Sequence, residues 1–219
     1  RTIAYLQTEP YSLVVLPEIR TIGDLKGKTI GTLALSGNTG VYLAHALEKG
    51  HLTLRDVQPV ATTDAGRAQG LMTRNFHGAV TSPPATQQLL AQGMRVLTGP
   101  ESTDIPANGL ATTLQTLEKE PDLVRAMLEA LVDAVIWTRS NPEEATAYFG
   151  EKFKQPQAIA AAAYKQQMQV LRWNPSDQQL ESAVKLALAA LKLPQKAKVG
   201  DAIDLTLYRE ILRRRGLKD

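Results

Sequence analysis

The chain of 219 residues has no cysteine, and aromatic residues make up only 5% of it. Without cysteine it can form no disulfide, thiolate metal site or cysteine nucleophile, but this leaves the cytoplasm and the periplasm equally open. No apolar run approaches the roughly 20 residues that a membrane-spanning helix needs. The first residues also lack the basic-then-apolar layout of a secretory signal, which leaves open that such a signal has been removed.

A strong charge of one sign is missing as well. The 25 basic and 22 acidic residues give a net charge of +3. The basic residues are scattered, and the run Arg213 to Arg215 before Gly216 is typical of a helix C-terminus. A nucleic-acid surface would need a larger basic patch with exposed aromatic side chains, so we expect no nucleic-acid partner.

Short β-branched runs and helical patterns alternate through the first part of the chain. This alternation predicts an α/β domain with a largely parallel sheet. The predicted strands are 12–16, 28–33, 57–61, 78–80, 95–97 and 109–113, and the predicted helices between them are 41–49, 65–73 and 84–92.

From about Pro121 the pattern becomes purely helical. Pro121, Asn141, the capping box Ser176 to Gln179 and Asp204 each predict the start of a helix, and Gly216 predicts the end of the last one. Two of these helices carry an apolar stripe, formed by Val124, Leu128, Leu131 and Val135 in one and by Leu180, Val184, Leu188 and Leu191 in the other.

Hydroxyl and amide side chains follow three of the predicted strands. In an open parallel sheet, ligands bind beyond the carboxyl ends of the strands, where free backbone N–H groups of the following helices point outward. These turns therefore predict a site for an anionic or carbonyl-bearing ligand. The candidate ligand-binding residues in them are Ser36, Gly37, Asn38, Thr39, Thr63, Asp64, Thr81 and Ser82.

The same residue types also have a purely structural interpretation. Serine, threonine and asparagine cap helices in any protein, Ser82 before two prolines is typical of a helix start, and glycine permits a tight turn. The stretch 36–40 matches neither a phosphate loop nor a dinucleotide-binding turn. Ligand binding and helix capping therefore both stay open for these turns.

No catalytic residue, cofactor or metal site is predicted. The polar turns offer no paired carboxylates for acid–base catalysis. The spacing of His45, His51 and His77 suggests no metal ligands, and His77 is interpreted as a packing or surface residue. Arg67 is the arginine nearest to the turns and is interpreted as an exposed helix residue.

Four segments in consistent order carry a resemblance to a known family. They are SLVVLPEIRTIGDLKGKTIG, SGNTGVYLAHALEKG, VTSPPATQQLLAQGMRVL and PDLVRAMLEALVDAVIWTRSNPEEATAYF. Together they resemble the substrate-binding proteins of the nitrate/sulfonate/thiamine-precursor class of ABC importers, the NMT1/THI5-like family. The resemblance implies a type II periplasmic-binding-protein fold, in which two α/β lobes with mixed, mostly parallel sheets hold a solute between them.

The resemblance also implies a division of the chain. Residues 1–11 would form a crossing segment and part of lobe 1, residues 12–103 a complete lobe 2, and residues 104–219 the second crossing and a helical return to lobe 1. Tyr11 and Asn108 near the crossings join the candidate ligand-binding residues. Family members carry a leading βα segment ahead of the part that matches Arg1, so we expect a truncated or processed piece with an incomplete first lobe.

By this resemblance the protein is a receptor without enzymatic activity that delivers a small solute to a membrane permease in a periplasmic or extracytoplasmic location, with a membrane anchor of the full-length form left open. One alternative is a ligand-sensing domain of the same fold. The other is a THI5-like or chorismate dehydratase-like enzyme. An incomplete lobe 1 would expose apolar helix faces, which predicts self-association or a second chain that supplies the missing strands.

Overall fold

The computed structural model describes residues 1–190 and 196–217, which fall into two compact units. Unit 1 contains residues 1–8, 104–148 and 171–219, and unit 2 contains residues 9–103 and 149–170. The chain thus passes between the units four times. Residues 149–170 belong to unit 2 although they follow helices of unit 1 in the sequence. The assignment of lobes to the ranges 1–11, 12–103 and 104–219 stays a prediction.

Strands alternate with helices up to residue 111, and helices follow. The strands are β1 (Thr2–Thr8), β2 (Ser12–Val15), β3 (Thr29–Thr32), β4 (Gln58–Ala61), β5 (Gly78–Thr81), β6 (Arg95–Thr98) and β7 (Pro106–Ala111). The helices are α1 (Asn38–Glu48), α2 (Asp64–Met72), α3 (Ala85–Ala91), α4 (Leu114–Lys119), α5 (Pro121–Ser140), α6 (Pro142–Lys152), α7 (Gln157–Val170), α8 (Asp177–Ala190), α9 (Val199–Ala202) and α10 (Thr206–Arg214).

Unit 2 is built on a five-stranded mixed sheet in the order β4-β3-β5-β2-β6. Strand β3 is parallel to β4 and β5, whereas β2 is antiparallel to β5 and β6. All four residues of β2 are buried, as expected for an inner strand covered on both faces. The core around β2 includes Leu13, Val14, Val15, Ile30, Tyr42, Leu43, Leu47, Leu71 and Leu89.

Unit 1 contains a two-stranded antiparallel sheet, β1-β7. The outer edge of β1 is also bonded, because the Arg172 N–H donates to the Leu6 carbonyl over 3.0 Å and the Asp204 N–H donates to the Thr2 carbonyl over 2.9 Å. Helix α5 packs against α10 and buries Val124, Leu128, Val132 and Val135. Val132 thus takes the place predicted for Leu131, which is only half-buried.

The predicted strands and most helix ends agree with the structure. The exception is β1, because no strand was predicted within residues 1–11, the range expected to form a crossing segment and part of lobe 1. It is a strand because it pairs with β7, about one hundred residues later in the chain. The last predicted strand, 109–113, is found as Pro106–Ala111, and helix α1 begins at Asn38 rather than Val41.

One helix cap and one helix end predicted from the sequence are present in unit 1. The Ser176 N–H donates to the Gln179 side chain over 2.8 Å, and the Gln179 N–H donates to the Ser176 hydroxyl over 3.2 Å, which completes the predicted capping box. Asp204, which was predicted to cap α10, lies one residue before the cap position held by Leu205, although its carboxylate accepts from the Thr206 N–H. Gly216 follows this helix with a positive φ of 66°. Leu191, predicted for the stripe of α8, lies outside the described residues.

The helices were compared with what a membrane-spanning segment requires. Within residues 1–190 and 196–217, none is both long and apolar enough to cross a bilayer.

Candidate functional site

One edge of the unit 2 sheet gathers the polar turns. Strands β3, β4 and β5 run parallel side by side, so their carboxyl ends lie at the same edge. Strand β2 runs the opposite way, and its first residue, Ser12, pairs with Thr81, the last residue of β5. Residues 9–12, 32–39, 62–67 and 81–87 therefore share this edge, which we call the carboxyl edge.

The turn between β3 and α1 is shaped mainly by Thr39 and Gly40. The buried Thr39 hydroxyl lies 3.3 Å from both the N–H and the carbonyl oxygen of Ala34, which closes the turn. Gly40 passes so close to the Leu35 carbonyl that a Cβ atom would overlap with it. Helix α1 has no side-chain cap at Gly37, and Ser36 and Asn38 are exposed. The side chains of Ser36 and Asn38 are thus available to a ligand, whereas the Thr39 hydroxyl closes the turn.

The turn between β4 and α2 contains the cap of α2. The Thr63 hydroxyl accepts a hydrogen bond from the Gly66 N–H over 3.1 Å. Asp64, the next residue, is exposed and forms an ion pair with Arg67. The structural interpretation therefore holds for Thr63, whose hydroxyl already has a partner.

The turn after β5 does not cap its helix. Helix α3 begins at Ala85 with Pro84 in the cap position and has no side-chain cap, so the expectation that Ser82 starts the helix was wrong. Two prolines separate Ser82 from the helix, and a capping hydroxyl must belong to the residue just before the first helical one. The Ser82 side chain is half-buried, whereas the buried Thr81 hydroxyl lies 2.8 Å from the Thr86 hydroxyl.

Arg67 is buried, which corrects its interpretation as an exposed helix residue. Helix α2 packs against β5, so the side that carries Arg67 faces the sheet, and only 3% of this residue is exposed. Its guanidinium donates to the Val80 carbonyl and pairs with Asp64, whereas its Nε has no partner in the protein. Burial lowers the pKa of the guanidinium.

Glu9 was not singled out from the sequence. It is 2% exposed, and its Oε2 has no hydrogen-bond partner in the protein. Burial raises the pKa of its carboxyl group to about 7. A glutamate three residues before a buried strand, in the segment Glu9-Pro10-Tyr11-Ser12, was the available signal.

Tyr11 lies beside Glu9 and Arg67. Burial raises the pKa of its phenol, the Glu9 carboxylate raises this pKa further, and the Arg67 guanidinium lowers it. The Tyr11 ring also packs edge-on against Tyr42, with 5.8 Å between the ring centroids. The structure therefore groups Tyr11 with two ionisable side chains of the carboxyl edge.

Buried polar atoms without a protein partner concentrate at the carboxyl edge. Among the described residues there are six such side-chain atoms, and four of them belong to this edge: Glu9 Oε2, Thr32 Oγ1, Arg67 Nε and Gln87 Oε1. Most buried polar groups in proteins are hydrogen-bonded, so these four exceptions make the carboxyl edge a candidate ligand site.

Asn108 is not part of this group. It lies on β7 in unit 1, where it is exposed and has a positive φ of 49°. Its role in ligand binding stays a prediction.

A cavity of about 280 Å³ lies in unit 1, and none of the predicted site residues lines it. Its lining includes Tyr5, Thr8, Pro106, Arg172, Asn174 and Gln179. The side chains of Gln179 and Asn174 are bonded within the unit, to the Asp104 carbonyl and to Arg209. The carboxyl edge is the stronger candidate because its buried polar atoms lack such partners.

Metal binding has no support in the part of the chain that the structure describes. No group of three or more histidine, aspartate or glutamate side chains there could hold a metal ion. His77 takes part in the sheet through its backbone, whose N–H donates to the Thr29 carbonyl over 2.9 Å.

Comparison with known proteins decides the family. The family model described as NMT1/THI5 like matches residues 1–145. The chain belongs to this family. The riboflavin-binding protein RibY of Chloroflexus aurantiacus is 28% identical over 131 residues, which are 58% of this chain and 37% of RibY. The matched part of the chain therefore spans well under half the length of this curated relative.

Solved structures show the type II periplasmic-binding-protein fold. The alkanesulfonate-binding protein SsuA of Xanthomonas axonopodis pv. citri matches with a TM-score of 0.79 and 17% identity, over 93% of this chain and 73% of SsuA. The periplasmic nitrate-binding protein NrtA of Synechocystis PCC 6803 matches with a TM-score of 0.80 and 13% identity, over 97% of this chain and 67% of NrtA. The desulfurization enzyme DSZB has the same fold, with a TM-score of 0.70 and 16% identity over 98% of this chain and 79% of DSZB.

Proposed function

We propose that the protein is the solute-binding receptor of an ABC importer, which captures a small solute at the carboxyl edge of unit 2 and delivers it to a permease in the membrane. The observation that carries this proposal is the cluster of partnerless buried polar atoms at that edge, in a chain of the NMT1/THI5-like family. A periplasmic or extracytoplasmic location goes with this role, as in the periplasmic neighbour NrtA.

Ligand capture would follow the hinge closure of two-lobed binding proteins, in which the lobes close around the solute. In this proposal Ser36, Asn38, Thr81 and Ser82 line one wall of the cleft, with Tyr11 and Asn108 near the crossings. The sequence predicts an anionic or carbonyl-bearing organic ligand. The relatives extend this range, since they bind riboflavin, alkanesulfonates and nitrate.

Binding without chemistry is favoured by the side chains of the carboxyl edge. Its carboxylates, Glu9 and Asp64, do not form an acid–base pair, because Asp64 is bound to Arg67. The fold alone does not distinguish a receptor from an enzyme, since DSZB shares it. Incubation with a bound ligand separates the two: a receptor returns the ligand unchanged, and an enzyme converts it.

Native mass spectrometry of the protein in its longest form tests the proposal directly. We expect a co-purified small molecule that leaves on unfolding. No bound molecule, together with no binding by calorimetry to solutes of the three classes bound by the relatives, would overturn the proposed function.

The site residues are tested by replacing Asn38 and Ser82 with alanine. Calorimetry should show binding weakened by roughly 1 to 3 kcal/mol in total, the scale of losing hydrogen bonds to a desolvated ligand. The matched control is Asn75→Ala, an exposed asparagine shortly before β5, at the opposite edge of the same sheet. Unchanged affinity in the double variant would mean that these turns only shape the chain.

We also propose that unit 1 uses its exposed apolar helix face for association, either with a second copy or with a chain that adds strands to its sheet. Leu123, Met127 and Trp137 of α5 are each close to half exposed. Apolar side chains exposed together on one helix are typical of contact surfaces.

A further inference from the structure

The carboxyl edge has few charged residues, and its one cation is paired with a carboxylate. Its four segments, 9–12, 32–39, 62–67 and 81–87, contain only three charged residues: Glu9, Asp64 and Arg67. The guanidinium of Arg67 is buried, pairs with Asp64 and donates to the Val80 carbonyl. The only cation in these four segments is therefore already paired with a carboxylate, although its Nε keeps a free N–H.

The Glu9 carboxyl group opposes an anionic ligand. Its pKa of about 7 means that it carries a negative charge in a substantial part of the molecules at neutral pH. A buried negative charge repels a nearby anion strongly, because the protein interior screens charges less than water does. In its protonated form the group is uncharged and offers one O–H donor.

Most of the partnerless atoms are acceptors, so they suit a ligand that carries hydrogen-bond donors. Glu9 Oε2, Thr32 Oγ1 and Gln87 Oε1 can each accept a hydrogen bond, and only the Arg67 Nε is restricted to donating. Nitrate and sulfonate groups offer acceptors alone. A ligand with N–H groups and one acceptor complements this set.

Apolar surface accompanies these polar atoms. Leu33 and Leu35, in the turn that follows β3, are about half exposed. Gln87 is held in place because its amide donates to Gln166 over 2.6 Å, and Gln166 in turn donates to the Pro10 carbonyl over 3.1 Å. The edge thus contains an amide held in place by Gln166 as well as exposed leucine side chains.

We infer that the carboxyl edge of unit 2 selects an uncharged solute that donates hydrogen bonds through N–H groups and has an apolar portion, rather than a compact anion. Glu9 is its specificity-determining residue, which accepts a hydrogen bond from the solute and repels anions. This inference rests on the proposed receptor function and narrows its ligand class.

A matched set of ligands tests the inference by thermal shift and calorimetry of the full chain. The first set contains uncharged N–H heterocycles, namely thymine, lumazine and lumichrome. The second contains their N-methylated counterparts, which lack the donors, and the third contains nitrate, sulfate and ethanesulfonate. We expect at least one member of the first set to bind, and its methylated counterpart to bind at least tenfold more weakly. Tighter binding of an anion, equal binding of the methylated compound, or no binding by the first set would each overturn the inference.

Variants of Glu9 test the role of its carboxyl group. Glu9→Gln keeps an acceptor without the charge, and we expect it to bind the N–H ligand within a few-fold of the wild type. Glu9→Leu removes the acceptor and should weaken binding at least tenfold. The control is Glu48→Leu, an exposed glutamate at the other end of α1. Equal affinity of Glu9→Leu and wild type would overturn the role of Glu9.

These outcomes separate the inference from the receptor function on which it rests. Binding of an anion alone contradicts the ligand class and leaves the receptor function standing. Absence of any co-purified or titrated ligand contradicts the receptor function itself.

Discussion

The two units use their sheets differently. Unit 2 has five strands, an inner strand buried at every residue, and an edge where four partnerless polar atoms collect. Unit 1 has two strands, helices that carry most of its residues, and an exposed apolar face on α5. The comparison teaches that a sheet covered on both faces leaves polar groups unpaired at its edge, whereas a narrow sheet leaves apolar helix surface exposed.

The largest expected effect comes from the two cores. Leu13 of β2 and Leu128 of α5 are both fully buried. Leu13→Ala should lower the free energy of unfolding by about 4 kcal/mol, and Leu128→Ala by about 2 kcal/mol. We expect the surroundings of Leu128, in the unit with the narrower sheet, to relax more easily and to leave a smaller cavity. Urea unfolding measures both values. An equal or larger loss for Leu128→Ala would break the comparison.

The next effect is the pH dependence that Glu9 imposes on unit 2. Its folded pKa of about 7 lies above the ordinary 4.5, so the folded state holds the proton more tightly. The contribution of the Glu9 carboxyl group to the free energy of unfolding is complete below pH 4.5 and is lost as the pH rises to about 7. The loss is at most about 3 kcal/mol. Its neighbours Tyr11 and Arg67 stay in place in both the wild type and the variant below.

Glu9→Gln removes this dependence. Compared with the wild type, it should gain stability progressively between pH 4.5 and 7 and keep a constant advantage at higher pH. Thermal unfolding in a pH series checks this difference. A difference that does not change with pH would contradict the burial of an ionisable carboxyl group.

A smaller effect separates two serines that look alike in the sequence. Ser176 caps α8, so Ser176→Ala should cost about 1 kcal/mol of stability. Ser82 caps no helix, so Ser82→Ala should change stability by less than about 0.5 kcal/mol. Chemical unfolding measures both variants, and each serves as the control for the other. Equal losses of unfolding free energy would restore a capping role for Ser82.

The smallest effect on stability is expected at the exposed face of α5. Met127→Glu should change the free energy of unfolding by less than about 0.5 kcal/mol, since the side chain is half exposed. It should nevertheless reduce association, because a charge on an apolar contact surface must be desolvated there. Light scattering over a concentration series measures this. A wild-type chain that stays monomeric at high concentration would refute association with a second copy.

The sequence predicted correctly those features that depend on residues close together in the chain. The strands of unit 2, the capping box at Ser176 and the end of α10 at Gly216 depend on residues a few positions apart, and the sequence alone determined them. The shared edge of the polar turns also followed from sequence, because parallel strands must end on the same side.

Only the tertiary structure decided which side chains at that edge remain without partners. Arg67 is buried because α2 turns it towards β5, and β1 is a strand because it pairs with β7, about one hundred residues later in the chain. The raised pKa of Glu9 likewise comes from burial among residues that are distant in the sequence. Burial and hydrogen bonding depend on every element that packs around a side chain, and a pattern read along one segment carries no record of the others.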